Sequence, residues 1–135
     1  MASRKFRVLV VEDNAVFRRG LARLFPPNQF EVSQAGDGQQ AVDLIGSQSI
    51  DLVICDYRMP KLDGLGVLKH MRERHQETPF ILVTAHYTEE LAADAKKQGA
   101  LAVLEKPIDL ARLKRPCEEA LWGTSNESKD RIGEH

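Results

Sequence analysis

The chain has 135 residues, the length of a single domain with one hydrophobic core. Hydrophobic residues make up 42% and charged residues 29%, which is typical of soluble globular proteins, and no apolar run approaches the ~18–20 residues of a membrane span. Lysine and arginine number 19 against 20 aspartates and glutamates, for a net charge of −1, so the basic excess of a nucleic-acid-binding protein is missing.

Five short apolar runs predict β-strands, because they are rich in Val, Ile, Leu and Phe and are bounded by polar or turn-forming residues. In chain order they are residues 6–11 (FRVLVV), 30–35 (FEVSQA), 51–55 (DLVIC), 80–83 (FILV) and 102–104 (AVL). A stretch with apolar residues at helical spacing follows each run and predicts a helix.

Capping and turn residues set the expected bounds of the five helices. The first helix is expected to run from an Asn14 cap to Pro26-Pro27, and the second begins at the Asp37-Gly38 turn. The third runs from Gly64 to about Gln76, the fourth runs from a Thr88 cap to Gly99, and the fifth begins at an Asp109 cap. Leu24 and Phe25 are expected on the apolar face of the first helix, and the charged residues 72–75 on a solvated face of the third. Pro116 lies inside the last helix and predicts a kink or a split, since forcing it straight costs about 3 kcal/mol or more.

Strands that alternate with helices indicate an α/β fold with a parallel sheet, helices on both faces and right-handed crossovers. We expect one domain over residues 1–122 and a disordered polar tail over residues 123–135, which lack apolar periodicity. Cys55 and Cys117 lie in apolar segments and are predicted to be buried, reduced thiols. With a charged N-terminus that is not a signal peptide, they indicate a cytoplasmic protein.

Polar side chains stand where four of the five predicted strands end. Glu12 and Asp13 follow the first strand, Asp56 the third, Thr84 the fourth and Lys106 the fifth. The carboxyl ends of parallel strands meet at one edge of the sheet, where open α/β sheets bind their ligands, so we expect these side chains to converge. One acid at a strand end is common in any fold, but the whole set together indicates a functional site.

The charges of this set predict a magnesium site. Three carboxylates in one cleft carry about −3 and Lys106 returns about +1, so a divalent cation brings the formal sum to zero and relieves the repulsion. Mg²⁺ fits best, because it accepts one or two carboxylates, keeps several waters and is completed by phosphate oxygens. Neither Cys nor His is placed to form a zinc site. Beside such a metal, Asp56 is a candidate nucleophile toward a phosphoryl group, assisted by Lys106 and Thr84.

Four motifs carry these residues: VLVVED at 8–13, VICDYRMPKLDG at 53–64, ILVTA at 81–85 and LEKP at 104–107. In this order and spacing, over residues 6–122, the chain resembles the receiver domain of bacterial response regulators in two-component signalling. The resemblance implies a flavodoxin-like (βα)5 fold with strand order 2-1-3-4-5. It also implies phosphorelay signal transduction, in which a sensor histidine kinase or a phosphotransfer protein donates a phosphoryl group from phosphohistidine in a Mg²⁺-dependent reaction.

The resemblance also implies a role for each site residue. Asp56 matches the phosphoacceptor, Thr84 the switch hydroxyl that moves toward the phosphoryl group, and Lys106 the lysine that pairs with it. The implied magnesium ligands are Asp13, Asp56, the backbone carbonyl of Arg58 and, through a water, Glu12. The implied structural residues are Gly64 and Pro107, the latter after a cis peptide bond.

The chain departs from the family pattern at positions that affect signal output. Val103 occupies the position where the family usually carries Tyr or Phe, whose ring rotates with the switch threonine. Pro116 interrupts the last helix. Arg58 and His86 occupy the two positions flanking the site that modulate the access of water to the acyl phosphate. The departures at Val103 and Pro116 lie on the face that receivers commonly use to dimerise or bind outputs, so they leave phosphorylation intact and leave the mode of signal transmission open.

Two other readings compete with a phosphorylated receiver. A haloacid-dehalogenase-like phosphatase also uses an Asp nucleophile and Mg²⁺, but it needs a second Asp two residues later, where this chain has Arg58, and it needs the length of a cap domain. A receiver-like domain that works without phosphorylation generally loses one of the acids or the lysine, whereas this chain keeps them all.

The resemblance predicts a signalling domain that catalyses its own phosphoryl transfer and slow autodephosphorylation, and it leaves the output open. Only 13 residues follow Trp122, which predicts either a stand-alone receiver or one domain of a longer chain. Receivers commonly dimerise or bind outputs through the face formed by the last two helices and the fifth strand. We expect neither nucleic acid nor membrane to bind this domain directly.

Overall fold

The protein, described from a computed structural model over residues 4–108 and 110–122, contains five strands and five helices that alternate along the chain. The strands are β1 (Phe6–Val11), β2 (Phe30–Ala35), β3 (Leu52–Asp56), β4 (Phe80–Thr84) and β5 (Ala102–Glu105). The helices are α1 (Ala15–Ala22), α2 (Gly38–Ser47), α3 (Gly64–Glu73), α4 (Glu89–Lys97) and α5 (Leu110–Trp122). All strand pairs are parallel, in the order β2-β1-β3-β4-β5, so the predicted α/β class and strand order are confirmed.

The sheet is covered on both faces, which explains why its central strands are nearly continuous apolar runs. Alternate residues of β1 serve opposite faces. Leu9 and Val11 pack with side chains of α2, α3 and α4, whereas Val8 and Val10 pack with side chains of α1 and α5. Two apolar layers therefore hold the sheet in place and leave its carboxyl edge for polar groups.

Short polar side chains begin four of the helices. The side-chain oxygens of Asn14 and Thr88 accept hydrogen bonds from backbone N–H groups in the first turns of α1 and α4, as predicted, and Asp37, expected only in a turn, does the same for α2. Asp63 does the same for α3, through Gly66 N–H at 2.8 Å. Each cap fixes the direction in which the chain leaves the strand edge.

Three strands extend further than their apolar residues predicted. β3 ends at Asp56, β4 at Thr84 and β5 at Glu105, because each of these residues still pairs with a neighbouring strand. Asp56 lies opposite Val83, and Thr84 lies opposite Glu105. The polar residues are therefore the last residues of the strands, where ladder hydrogen bonds fix their backbone.

The first helix is shorter than predicted. α1 ends at Ala22 rather than at the prolines, because a residue that precedes proline, here Phe25 before Pro26, is disfavoured in the helical region. Leu24 and Phe25 therefore lie in a turn instead of on the helix. They still pack against the cluster that contains Val8.

Of the kink or split expected in the last helix at Pro116, the structure contradicts the split. α5 runs as one helix from Leu110 to Trp122 with Pro116 inside it. Leu113 and Cys117 on the same helix are buried against the sheet, and this packing holds the segment helical although proline lacks the N–H for one backbone bond.

The prediction that residues 72–75 form a solvated helix face is wrong for Arg72. α3 ends at Glu73 rather than near Gln76, and the half-buried guanidinium of Arg72 turns back over the helix end. It donates hydrogen bonds to the carbonyl oxygens of Gln76 (2.7 Å), Thr78 (3.1 Å) and Gly99 (2.9 Å). Arg72 thereby joins the end of α3 to the turn between α4 and β5.

We expect Arg72→Leu to lower the free energy of unfolding by about 2 kcal/mol, because it removes two partly buried hydrogen bonds, to the Gln76 and Thr78 carbonyls, and an exposed one to Gly99. Urea denaturation followed by circular dichroism measures the change. Arg74→Leu is the matched control. Arg74 is exposed and its side chain bonds His70 at the surface, so its loss is expected to cost less than about 0.5 kcal/mol. Equal losses in the two variants would contradict a tethering role for Arg72.

Both cysteine side chains are buried, as the sequence predicted. Cys55 and Cys117 are free and buried, and burial raises the pKa of both thiols, that of Cys117 to about 12.

The Asp109 cap and the tail at residues 123–135 lie outside the described residues. Within the described part of the chain, none of the helices is long and apolar enough to cross a membrane.

Candidate functional site

The strand order brings the predicted side chains to one edge of the sheet. Glu12 and Asp13 follow β1, Asp56 and Thr84 end β3 and β4, and Lys106 follows β5. The Lys106 N–H donates to the Thr84 carbonyl at 2.8 Å, which fixes the lysine backbone directly beyond β4. Residues from four separate strands thus form one cleft.

Lys106 bridges two acids at the centre of this cleft. Its Nζ lies 2.6 Å from Glu12 Oε1 and 3.1 Å from Asp56 Oδ1. Burial by itself lowers the pKa of Lys106, but its hydrogen bond to Glu12 and the charge of Asp56 outweigh burial, so the pKa lies above its ordinary value. The ammonium group therefore stays charged between the two carboxylates.

The two buried carboxylates hold protons more tightly than ordinary acids do. Only 1% of Glu12 and 7% of Asp56 is exposed. Burial raises the pKa of Glu12, against the hydrogen bonds from Lys106 and the Asn14 N–H. Burial also raises the pKa of Asp56, against the opposing effect of Lys106 and with added repulsion from Asp13. The single positive charge of Lys106 therefore does not offset the negative charges of both buried carboxylates.

The three acids meet the requirements of a hard divalent cation. One carboxylate oxygen from each of Glu12, Asp13 and Asp56 lies within 4.8 Å of the other two. Asp13 is exposed and open to solvent, whereas both oxygens of Glu12 are engaged, Oε1 by Lys106 and Oε2 by the Asn14 N–H at 2.9 Å. The donor set consists of oxygen atoms with excess negative charge, which is what Mg²⁺ prefers.

An open pocket of about 580 Å³ adjoins the acids. It is lined by Asp13, Tyr57, Arg58, Met59, Pro60 and Asp63. Arg58, whose backbone carbonyl the resemblance implies as a ligand, therefore stands in the wall next to Asp13. Asp63 was not predicted at the site, and its Oδ1 already accepts the Gly66 N–H at the start of α3.

Glycine is required where α3 approaches the end of β3. A Cβ on Gly64 would collide with the backbone oxygen of Asp56 and would lie 2.7 Å from Leu82 Cδ1. Gly64 N–H donates to the Tyr57 carbonyl at 2.8 Å, which holds the loop beneath the site. The peptide bond between Lys106 and Pro107 is cis.

Thr84 and Val103, at the two expected switch positions, lie on the β4 and β5 side of the cleft. Thr84 is 1% exposed, and its Oγ1 accepts the His86 N–H at 3.1 Å. Val103 is half-buried, pairs with Leu82 across the ladder and packs against the apolar layer. At this position a valine methyl group, rather than an aromatic ring, meets the core.

Two side chains of α1 contact the site without having been predicted to do so. The ring of Phe17 lies over Lys106, with Nζ 4.3 Å from the ring centroid. Arg18 donates from Nη1 to the Glu12 carbonyl at 2.8 Å and from Nε to Gln34 Oε1 at 3.2 Å. In the sequence, Phe17 lies at helical spacing with Leu21 and Leu24, a pattern that indicates only the apolar face of a helix.

The fold and the site together define the class of protein. The profile of the response regulator receiver domain matches residues 8–117, and the chain belongs to this family of signalling domains. It is 38% identical over 115 residues to the regulatory protein AtoC of Escherichia coli K12, covering 85% of this chain and 25% of AtoC. The chain thus spans about a quarter of the length of that relative.

Solved structures agree with this assignment. The receiver domain of Francisella response regulator 1452 superimposes with a TM-score of 0.80 at 29% identity, covering 86% of this chain and 97% of that one. A chain of the CheX-CheY-BeF3-Mg+2 complex from Borrelia burgdorferi gives a TM-score of 0.79 at 30% identity, covering 84% and 87%.

Proposed function

We propose that this receiver domain takes a phosphoryl group onto Asp56 in a Mg²⁺-dependent reaction and signals through the switch residues Thr84 and Lys106. The observation that carries the proposal is the cleft itself. A buried carboxylate with a raised pKa ends β3, 3.1 Å from a charged lysine and within 4.8 Å of two further acids.

The transfer follows from the positions of these groups. An oxygen of Asp56 attacks phosphorus, the bond from phosphorus to the donor's imidazole nitrogen breaks, and its electron pair remains on the imidazole, which takes a proton from solvent. Lys106 keeps its charge beside the acceptor and offsets the negative charge on the phosphoryl oxygens. The acyl phosphate retains the phosphoryl group until water attacks it, which is the slow autodephosphorylation of such a domain.

The residues fit a magnesium ion. We assign Asp13, Asp56 and the Arg58 backbone carbonyl as direct ligands and Glu12 as a partner through water, since both Glu12 oxygens already accept hydrogen bonds. When bound, Mg²⁺ supplies the positive charge that lets buried acids and a phosphoryl group share one cleft. Arg58 and His86 flank the site and control the access of water.

The donor of the phosphoryl group is a sensor histidine kinase or a phosphotransfer protein in the cytoplasm. The output acts on a partner or on a further domain, with the face formed by α4, β5 and α5 as the contact surface, also between two copies of the chain. AtoC, which is about four times as long as the matched segment, supports an output carried outside the receiver. One receiver domain over residues 1–122 followed by a polar tail completes the proposal.

Mass spectrometry after incubation with acetyl phosphate tests the proposal. With Mg²⁺ present, the intact protein is expected to gain one phosphoryl group, which peptide mapping after borohydride reduction assigns to Asp56. EDTA is expected to abolish the gain. Phosphorylation at another residue, or full incorporation in EDTA, would overturn it.

The valine at position 103 indicates which parts of the protein change conformation on phosphorylation. Phosphorylation draws the Thr84 hydroxyl toward the phosphoryl group, but valine has no ring whose rotation reshapes the surface over β4 and β5. We expect beryllofluoride, a phosphoryl mimic, to shift amide resonances after Thr84 and at the start of α4 strongly, and those of α5 little.

Val103→Tyr is expected to enlarge the response in α5, whereas Val103→Leu, which adds bulk without a ring, leaves it unchanged. Chemical-shift mapping with and without beryllofluoride makes the comparison. Large shifts in α5 of the wild-type protein, equal in both variants, would show that the signal is transmitted by other side chains.

A further inference from the structure

The contact between Phe17 and Lys106 joins two distant parts of the chain at the reacting edge. Phe17 lies in the first turn of α1, and Lys106 follows β5. The ammonium nitrogen is 4.3 Å from the ring centroid, within the range of a cation–π interaction. The same nitrogen lies 2.6 Å from Glu12 Oε1 and 3.1 Å from Asp56 Oδ1, so the ring is a third neighbour of the ammonium group beside the two acids.

Phe17 is held in place by the same acid that holds Lys106. Glu12 Oε2 accepts the Asn14 N–H at 2.9 Å, and Asn14 Oδ1 accepts the Phe17 N–H at 2.9 Å. Glu12 Oε1 accepts from Lys106 Nζ at 2.6 Å. The contacts therefore form a closed circuit through Glu12, Asn14, Phe17 and Lys106, and the cap of α1 places the ring relative to the lysine.

We propose that Phe17 is a positioning residue for phosphoryl transfer, whose ring holds the Lys106 ammonium group toward Asp56 and away from solvent. A lysine side chain has several rotatable bonds and is strongly hydrated, so it must be restrained to face an incoming phosphoryl group. An aromatic face attracts the cation without taking up its N–H donors as an anion would. Those donors remain available for the acids and for a phosphoryl oxygen.

This inference rests on the proposed function, and it also competes with a simpler role. The Phe17 side chain packs against the apolar layer beside α1, so its removal alters packing as well as electrostatics. A decisive experiment must weaken the negative face of the ring while its shape is kept. Site-specific incorporation of mono-, di- and trifluorophenylalanine at position 17 does this, because each fluorine withdraws electron density from the ring.

We expect beryllofluoride affinity, measured at saturating Mg²⁺, to fall stepwise along the series, by about fivefold at the trifluoro ring. Phe17→Leu is expected to lose at least as much. Magnesium affinity measured alone is expected to stay within about twofold, because the ring of Phe17 lies over Lys106, which is not a proposed ligand. The ring-current shift of the Lys106 side-chain resonances in the wild-type spectrum is expected to vanish in Phe17→Leu.

Trifluorophenylalanine at Phe25 is the matched control. That ring packs edge-on against Phe30 in the same apolar layer, with centroids 5.2 Å apart, and its fluorination is expected to leave beryllofluoride affinity unchanged. If the position 17 series is flat while Phe17→Leu loses affinity, the ring acts by packing alone and the inference is wrong. If the wild-type protein binds no beryllofluoride, the proposed function itself fails, and the inference fails with it.

Discussion

Asp56→Asn is expected to abolish phosphorylation and, in EDTA, to make the protein more stable than the wild type. Burial raises the pKa of Asp56 above its unfolded value despite Lys106. The stability that this group contributes is therefore fully present below the unfolded pKa and is lost as the pH rises through the folded pKa. At neutral pH the ionised carboxylate opposes folding, and its neutral isostere is expected to raise the free energy of unfolding by on the order of 1 kcal/mol.

In saturating Mg²⁺, the wild-type protein is expected to be more stable than Asp56→Asn. A cation that binds only the folded state stabilises it by mass action, and the variant has lost one of the carboxylates that attract it. The unfolding temperature of each protein at neutral pH, measured in EDTA and again in saturating Mg²⁺, tests both expectations. Asp94→Asn, at an exposed position of α4, is the matched control and is expected to follow the wild type in both conditions. A variant that stays more stable than the wild type at every magnesium concentration would argue against Asp56 as a ligand.

Lys106→Ala is expected to leave the protein folded and able to bind Mg²⁺ while its response to beryllofluoride is lost. The lysine follows β5 at the carboxyl edge of the sheet, beyond the two apolar layers, so its removal leaves those layers packed. Magnesium affinity is expected to stay equal or rise, because one cation leaves a cleft of three acids. Beryllofluoride affinity is expected to fall by about 10- to 100-fold, the value of a charge-assisted hydrogen bond to an anion.

Calorimetric titration of Mg²⁺ and then of beryllofluoride separates the two effects. Lys69→Ala, which removes an exposed lysine of α3, provides the control for net charge and is expected to change neither affinity appreciably. Loss of the folded circular-dichroism signal in Lys106→Ala would assign the lysine a structural role. A parallel fall of magnesium affinity would show that Lys106 organises the acids instead of contacting the phosphoryl group.

The sequence determined the architecture and the chemistry of the site, because both depend on local patterns. Apolar runs alternating with amphipathic stretches predicted the β/α order, and caps such as Asn14, Asp37 and Thr88 fixed where helices begin. Because the carboxyl ends of parallel strands meet at one edge of a sheet, the sequence predicted that Asp13, Asp56 and the other polar residues lie together. The family motifs supplied the strand order, which periodicity alone does not contain.

The tertiary structure decided what depends on neighbours from other parts of the chain. Strand pairing extended β3 to Asp56, and side-chain packing kept α5 in one piece across Pro116, where local propensity predicted a kink or a split. Two contacts have no sequence signature: the hydrogen bonds of Arg72 to distant carbonyls and the ring of Phe17 over Lys106. The helical pattern shows that a residue is charged or apolar, but it does not identify the residue from another segment that it contacts. Such contacts arise only when the sheet brings separate segments together, and they decide how firmly each reacting group is held.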